Sequence, residues 1–190
     1  MRRLARSAEA LGFVLDPATA RAALETAAAA ASGAALRLRL VLWRDGRMDV
    51  SAAPLTPVAP GTVWRVVMAE RRFHSAMPSL RHKTTRRDLY EDELAHAASV
   101  SQADEVIFMN ERFELCEGAR ANVFVRREGA LLTPALACGL LPGVLRASLL
   151  ERGEAREALL TRDDLAGGEL FMGNSVRGLV PARLIAGPGA

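Results

Sequence analysis

The chain is short of cysteine, histidine, aromatic residues and long apolar runs, and each shortage excludes something. Its 190 residues include two cysteines, Cys116 and Cys138, too few for a disulfide framework and in no metal-ligand spacing. His74, His82 and His96 have no zinc spacing either, so no metal is expected. Aromatic residues make up 5% of the chain, thin material for stacking nucleic-acid bases. The net charge is +3, with basic residues interleaved with acids rather than gathered on one face, so nucleic acid is not an expected partner. No apolar run approaches the roughly 20 residues that cross a bilayer. The basic start, MRRLARSAEALGF, lacks the apolar block and cleavage site of a secretory signal, and Glu9 and Asp16 soon interrupt any transit pattern. A cytoplasmic location without membrane contact is expected.

The sharpest shortage is lysine. Of 25 basic residues, 24 are arginine and only Lys83 is lysine. Arginine stays protonated, whereas lysine can lose its proton and attack a carbonyl. Chance survival of one lysine and a need for one amine are both open readings at this point.

Half of the residues are hydrophobic, enough for a folded core. The apolar spacing predicts a helix over Arg2–Phe13 with Leu4, Ala5, Ala8 and Leu11 on one face. Asp16 is placed to cap a second helix with Pro17 at its first position, running to Ser32-Gly33. LRLRLVLW, Leu36 to Trp43, alternates as a half-wet strand and pairs with Met48–Ala53 across a turn at Asp45-Gly46. A strand is expected over Thr62–Ala69, and a linker or active-site loop over Phe73–Thr85. A helix follows over Arg87–Ser101. Short strands are expected at Glu105–Met109, Phe113–Glu117, Asn122–Arg126, Ala130–Thr133, Glu169–Gly173 and Leu179–Leu184. Helices are expected at Gly143–Arg152 and from Thr161, and a loose tail over Ala186–Ala190. The fold class is α+β, with a boundary between 1–78 and 79–190.

Three segments carry chemistry: LRHKTTRRDLYE (Leu80–Glu91), NERFELCEGARANVFV (Asn110–Val125), and TPALACGLLPGVLRASLL (Thr133–Leu150) with FMGNSVRGLVPARL (Phe171–Leu184) behind it. Singly, each has a bland reading as a solvated charge, a strand end or a turn. In this order and spacing they resemble the class IV aminotransferases, fold type IV of the pyridoxal 5'-phosphate (PLP) enzymes, from Arg3 to about Leu184. The resemblance implies two α/β subdomains: a small N-terminal one, 1–78, and a PLP-binding one, 79–190.

What the resemblance implies for single residues agrees with what PLP needs. Its aldehyde needs an amine, and Lys83 falls at the family's lysine, which also moves the substrate's α proton. Burial and neighbouring Arg81, Arg86 and Arg87 are expected to lower the Lys83 pKa. The pyridine nitrogen needs a carboxylate, and Glu117 matches it. The phosphate needs backbone N–H groups at a helix start, and Pro142-Gly143-Val144-Leu145-Arg146 matches that turn, with Val144 and Leu145 as donors and Gly143 allowing close approach. Ser175 matches a phosphate hydroxyl, and Arg3 a phosphate-binding arginine. Asn122 falls at a recurrent cofactor-site position that orients rather than reacts. Tyr90 could approach the cofactor ring or face the core. Arg177 is a candidate for a substrate carboxylate.

Within the family, HKTTRR and NSVRGLVPAR look like the aminodeoxychorismate lyases, and Leu145 stands where branched-chain aminotransferases usually carry threonine. The expected reaction is release of pyruvate and 4-aminobenzoate, a folate precursor, from 4-amino-4-deoxychorismate. A branched-chain or D-amino acid aminotransferase is the alternative. Family members begin with further strands before the first helix, and Met1 lands at that helix. A misplaced start, a fragment and a truncated N-terminal subdomain are all open, the last allowing a weakly active or inactive remnant. The family implies a homodimer.

Overall fold

A computed structural model of the chain describes residues 1–30 and 35–187. The helix stop expected at Ser32-Gly33 and the last part of the expected loose tail lie outside them. The chain folds as two compact units, Met1–Pro57 and Val58–Ala190.

In the first unit, α1 (Arg2–Leu11) buries Ala8, while Leu4, Ala5 and Leu11 are half-buried on the expected face. It ends on Gly12 in the left-handed region, φ 67°. Helix α2 (Pro17–Ala29) starts as expected: the Asp16 carboxylate accepts the Ala18 N–H at 3.0 Å, and Pro17 needs no partner for an N–H it lacks. β1 (Leu36–Leu42) and β2 (Met48–Pro54) form an antiparallel hairpin in which Leu42 faces Met48.

The second unit contains β3 (Trp64–Met68), α3 (Asp88–Ser101), β4 (Glu105–Met109), β5 (Leu115–Gly118), β6 (Asn122–Arg127) and β7 (Ala130–Pro134). α4 (Val144–Glu151), β8 (Arg156–Ala158), β9 (Glu169–Asn174) and β10 (Gly178–Leu184) follow. A 3-10 turn covers Pro78–Arg81, and another, Arg162–Leu165, carries a capping box between Thr161 and Asp164. The strand order is β5-β4-β3-β10-β9-β6-β7-β8, with β5 also paired to β6. Six strands therefore close into a ring, and the closing pair is Glu117 opposite Asn122. β3 lies before the expected boundary at residue 78 and pairs on both edges inside this unit, parallel to β4 and to β10.

Strand periodicity explains the core. Val66, Ile107, Leu115, Val123, Val125, Leu170 and Met172 come from β3, β4, β5, β6 and β9 and form one buried cluster inside the ring, with Ala182 and Leu184 of β10 against it. The alternate residues face outward: Val67, Val106, Phe108 and Cys116 pack under Leu94 and Ala97 of α3. On another outer face Phe124 packs with Leu131 and Leu149 of α4. Fully burying each large aliphatic or phenyl side chain contributes about 1.5–3 kcal/mol.

Two local features depart from the sequence expectation. β5 starts at Leu115, because Phe113 has φ 62° and sits exposed in a turn. The Asn110 side-chain oxygen accepts the N–H groups of Arg112 and Glu114 at 2.9 and 3.1 Å and fixes that turn. β5 is also bulged. Leu115 pairs with Met109 and Gly118 with Ile107, so three steps on one strand span two on the other. The extra residue keeps Leu115 and Gly118 inside the ring and puts Cys116 and Glu117 both outside it.

Candidate active site

The bulge delivers Glu117 to the outer face, where three elements meet it. From α3, the Tyr90 hydroxyl donates to Oε1 at 2.9 Å. From the segment before α4, the Leu141 N–H donates to Oε2 at 3.1 Å. Across the closing pair, Asn122 Nδ2 donates to the Leu141 carbonyl at 3.0 Å. Glu117 and Asn122 thus hold the backbone of Leu141 at its N–H and at its carbonyl. Glu117 is 5% exposed, and burial pushes its carboxyl up to about 7 against the pull of the Tyr90 O–H and the Leu141 N–H. Tyr90 stands over Phe73 and Phe108, with the Arg87 guanidinium 4.9 Å from its ring centre. Its ring is packed on the core, as one of its two expected places had it, and its hydroxyl meets Glu117.

The peptide held at Leu141 leads into α4. Gly143 is the N-cap and no side chain caps this helix start, so its first N–H groups are not taken by a capping side chain. Val144 is exposed and Leu145 half-buried. A Cβ on residue 143 would lie 1.9 Å from Asn122 Oδ1, so close packing of Asn122 is itself a reason for glycine here. Arg146, read from sequence only as part of the phosphate turn, is 2% exposed. It pins α4 to the sheet by donating to the Pro134 carbonyl at 2.7 Å and pairing with Glu157. Leu145 packs toward Gly173 of β9, where an added Cβ would come within 3.0 Å of it. Ser175 and Arg177 are exposed in the turn after β9. The Asn174 side-chain oxygen accepts the N–H groups of Val176 and Arg177, both at 3.0 Å, and sets that turn.

Lys83 lies between the Pro78–Arg81 turn and α3, and it is exposed rather than buried as expected. Its stretch, between the Pro78–Arg81 turn and α3, is irregular backbone. The chain before it is fastened. The Ser75 N–H and O–H donate to the Glu111 carboxylate at 2.8 and 2.7 Å, and Arg112 Nη1 donates to Ser75 Oγ at 2.7 Å. These bonds hold the Glu111 carboxyl down at about 2. Gly139, φ 87°, presses on Ser75, where a Cβ would lie 2.7 Å from the Ser75 Cα. The segment before Lys83 and the segment before α4 are therefore packed together. Arg3 is half-buried in α1 of the first unit. The fold thus brings Glu117, Asn122, Gly143, Val144 and Leu145 together in the second unit. Sequence reasoning missed Glu105, Arg146 and Glu157, because a lone charged residue in a strand or short helix gives no sign of being buried or of holding one that is.

No helix of the described residues is long and apolar enough to cross a membrane. Among the described residues no group of His, Cys, Asp and Glu could hold a metal ion.

The chain has the fold of the fold type IV aminotransferases. Residues 1–185 match the amino-transferase class IV family, and the chain belongs to it. A proposed aminodeoxychorismate lyase of Schizosaccharomyces pombe is 30% identical over 157 residues, 80% of this chain and 68% of that protein. The branched-chain-amino-acid aminotransferase of Escherichia coli K12 is 32% identical over 79 residues, 38% of this chain and 26% of that protein. The crystal structure of a proposed amino-acid aminotransferase from Mesorhizobium loti superposes with a TM-score of 0.88 at 48% identity, covering 97% of this chain and 89% of that one.

The family is PLP-dependent, and the residues present fit that cofactor. Glu117 is a buried carboxylate whose bonds to Tyr90 and Leu141 leave each oxygen a further lone pair for a ring N–H. The start of α4 offers backbone donors of the kind a phosphate takes. Lys83 supplies an exposed amine.

Proposed function

We propose that this chain uses PLP to release pyruvate from 4-amino-4-deoxychorismate, leaving 4-aminobenzoate for folate synthesis. The observation that carries the cofactor reading is the buried Glu117, joined through Leu141 to the uncapped start of α4. Bound PLP would draw electrons away from the substrate's α carbon. Lys83 Nζ anchors the cofactor and moves the α proton. Glu117 holds a proton on the ring nitrogen, and its own buried, poorly solvated carboxylate favours a cationic neighbour. Tyr90 and Leu141 fix the two Glu117 oxygens. Val144 and Leu145 N–H groups and the Ser175 hydroxyl bind the phosphate, and Asn122 orients the turn. Arg177 receives a substrate carboxylate. Most of these residues fall in the second unit, Val58–Ala190, which we assign as the cofactor-binding subdomain, with Met1–Pro57 as the smaller one. We further assign a homodimer in the cytoplasm.

The lyase choice rests on Leu145, which packs against Gly173 and offers no hydroxyl, and on the likeness to the fission-yeast relative. An aminotransferase is the second reading, favoured by the 48% identity to the Mesorhizobium protein. The test is an assay for pyruvate and 4-aminobenzoate beside one for glutamate, with Lys83→Ala as control. Both products from the wild type, lost in the variant, support the lyase. Glutamate alone overturns it in favour of amino transfer. No visible absorption band with added PLP overturns both in favour of an inactive remnant.

A further inference from the structure

A second buried carboxylate lies beside the site without touching it. Glu105, the first residue of β4, is 1% exposed inside the ring. Its Oε1 accepts the Val106 N–H at 3.0 Å and the Ala119 N–H at 2.8 Å, and its Oε2 accepts the Arg120 N–H at 3.0 Å. All three partners are donors, the set that an ionised carboxylate matches. The carbonyls of the same two residues, Ala119 and Arg120, are also taken. The Arg87 guanidinium donates to the Ala119 carbonyl, and Asn174 Nδ2 donates to the Arg120 carbonyl at 3.1 Å. All four backbone polar groups of Ala119 and Arg120 are thus satisfied by three side chains. Those side chains come from the start of β4, from the residue four after Lys83, and from the residue before Ser175. Gly118 completes the junction: its N–H donates to the Ala121 carbonyl at 2.7 Å, and a Cβ there would lie 2.9 Å from the Val106 carbonyl oxygen and 3.1 Å from Glu105 Cδ.

We propose that Glu105 is a positioning residue: its carboxylate fixes the Gly118–Ala121 turn as the junction that sets Glu117, the Lys83 segment and the Ser175–Arg177 turn relative to one another. Burial pushes the Glu105 carboxyl up while the Val106, Arg120 and Ala119 N–H groups pull it down, and with no water to replace it those bonds are costly to lose. The cofactor arm of this inference rests on the PLP reading above; the turn itself does not.

The test uses Glu105→Gln, which keeps the shape but turns one acceptor oxygen into an NH2 facing an N–H. Without cofactor, amide hydrogen exchange at Ala119 and Arg120 should speed up by roughly tenfold or more, while exchange in β9 stays unchanged. This arm reads the turn whatever reaction the protein runs. With PLP, affinity should fall by roughly tenfold. At saturating PLP the circular dichroism of the visible band should weaken while the far-ultraviolet spectrum stays the same. That signature follows how the ring is held, and a general loss of stability would not move it. Asn174→Ala cuts a second arm of the junction, so its effect on PLP affinity should be non-additive with that of Glu105→Gln. If Glu105→Gln fails to fold, Asn174→Ala alone, which frees the Arg120 carbonyl, should still weaken the band. Unchanged exchange at Ala119 and Arg120, or strictly additive effects on affinity, overturns the proposal. A wild type that takes no PLP overturns the functional reading and leaves the exchange result to decide this one.

Discussion

Replacing Glu117 by Gln should remove a pH dependence from the folding stability of the cofactor-free chain. The carboxyl titrates near 7 in the fold because burial penalises its charge, against an ordinary value of 4.5. A group with a raised folded pKa holds its proton more tightly folded than unfolded. Its stabilising contribution is therefore present below about pH 4.5 and is lost as the pH rises to about 7. The gap corresponds to about 3 kcal/mol. Glutamine keeps the shape and sets an NH2 against either the Tyr90 O–H or the Leu141 N–H, a cost that does not change with pH. Urea unfolding of both proteins between pH 4.5 and 7.5 isolates the group, because other carboxyls cancel in the difference. Wild-type stability relative to the variant should fall by about 3 kcal/mol across that range. Tyr90→Phe removes a donor that favours the charged form, so the same fall should extend to higher pH. Saturating PLP should flatten the wild-type curve, because a cationic ring nitrogen offsets the burial penalty. A pH-independent difference would refute the electrostatic reasoning, and a slope untouched by PLP would refute the ring-facing role.

Gly143→Ala places a methyl 1.9 Å from Asn122 Oδ1, so the turn or Asn122 must move. We expect a loss of about 1–3 kcal/mol in urea unfolding and weaker PLP binding, partly recovered by adding Asn122→Ala. Glu157→Ala strands the Arg146 guanidinium, which is 2% exposed and then keeps only the Pro134 carbonyl. Urea unfolding should show a cost of about 3 kcal/mol, and a cost below about 1 kcal/mol would mean that Glu157 does not hold α4 in place.

Much of this fold is legible in the residues, and the gaps have physical causes. Glu105–Met109 reads as a strand because its apolar run is short and bounded, and β4 has those bounds. Asp16 and Pro17 announce α2 because cap and first-turn chemistry are local. β8 gave no signal: Arg-Glu-Ala is three residues long, largely exposed, and paired only with β7. Its strand character comes wholly from its neighbour. The bulge in β5 is equally silent, since nothing in LCEG shows that it crosses two residues of β4 in three steps. The family motif pointed to Glu117 and Asn122, but not to how they meet through the backbone of Leu141. Nor did it disclose Glu105, which in sequence is half of an ordinary Asp-Glu pair. Lys83 was expected to be buried on chemical grounds, and its irregular surroundings leave it exposed.

The ring of strands closes at one place, Glu117 against Asn122, across a linker of four residues pinned on every side. Length there is locked twice. One residue more or fewer between 118 and 121 would open the barrel seam and dislodge the carboxylate in the same stroke. The β6–β7 hairpin at Glu128-Gly129 hangs outside the ring and carries no such burden. Insertions should be accepted at Glu128-Gly129 and rejected at the seam, a contrast that a library of scanned insertions would display directly.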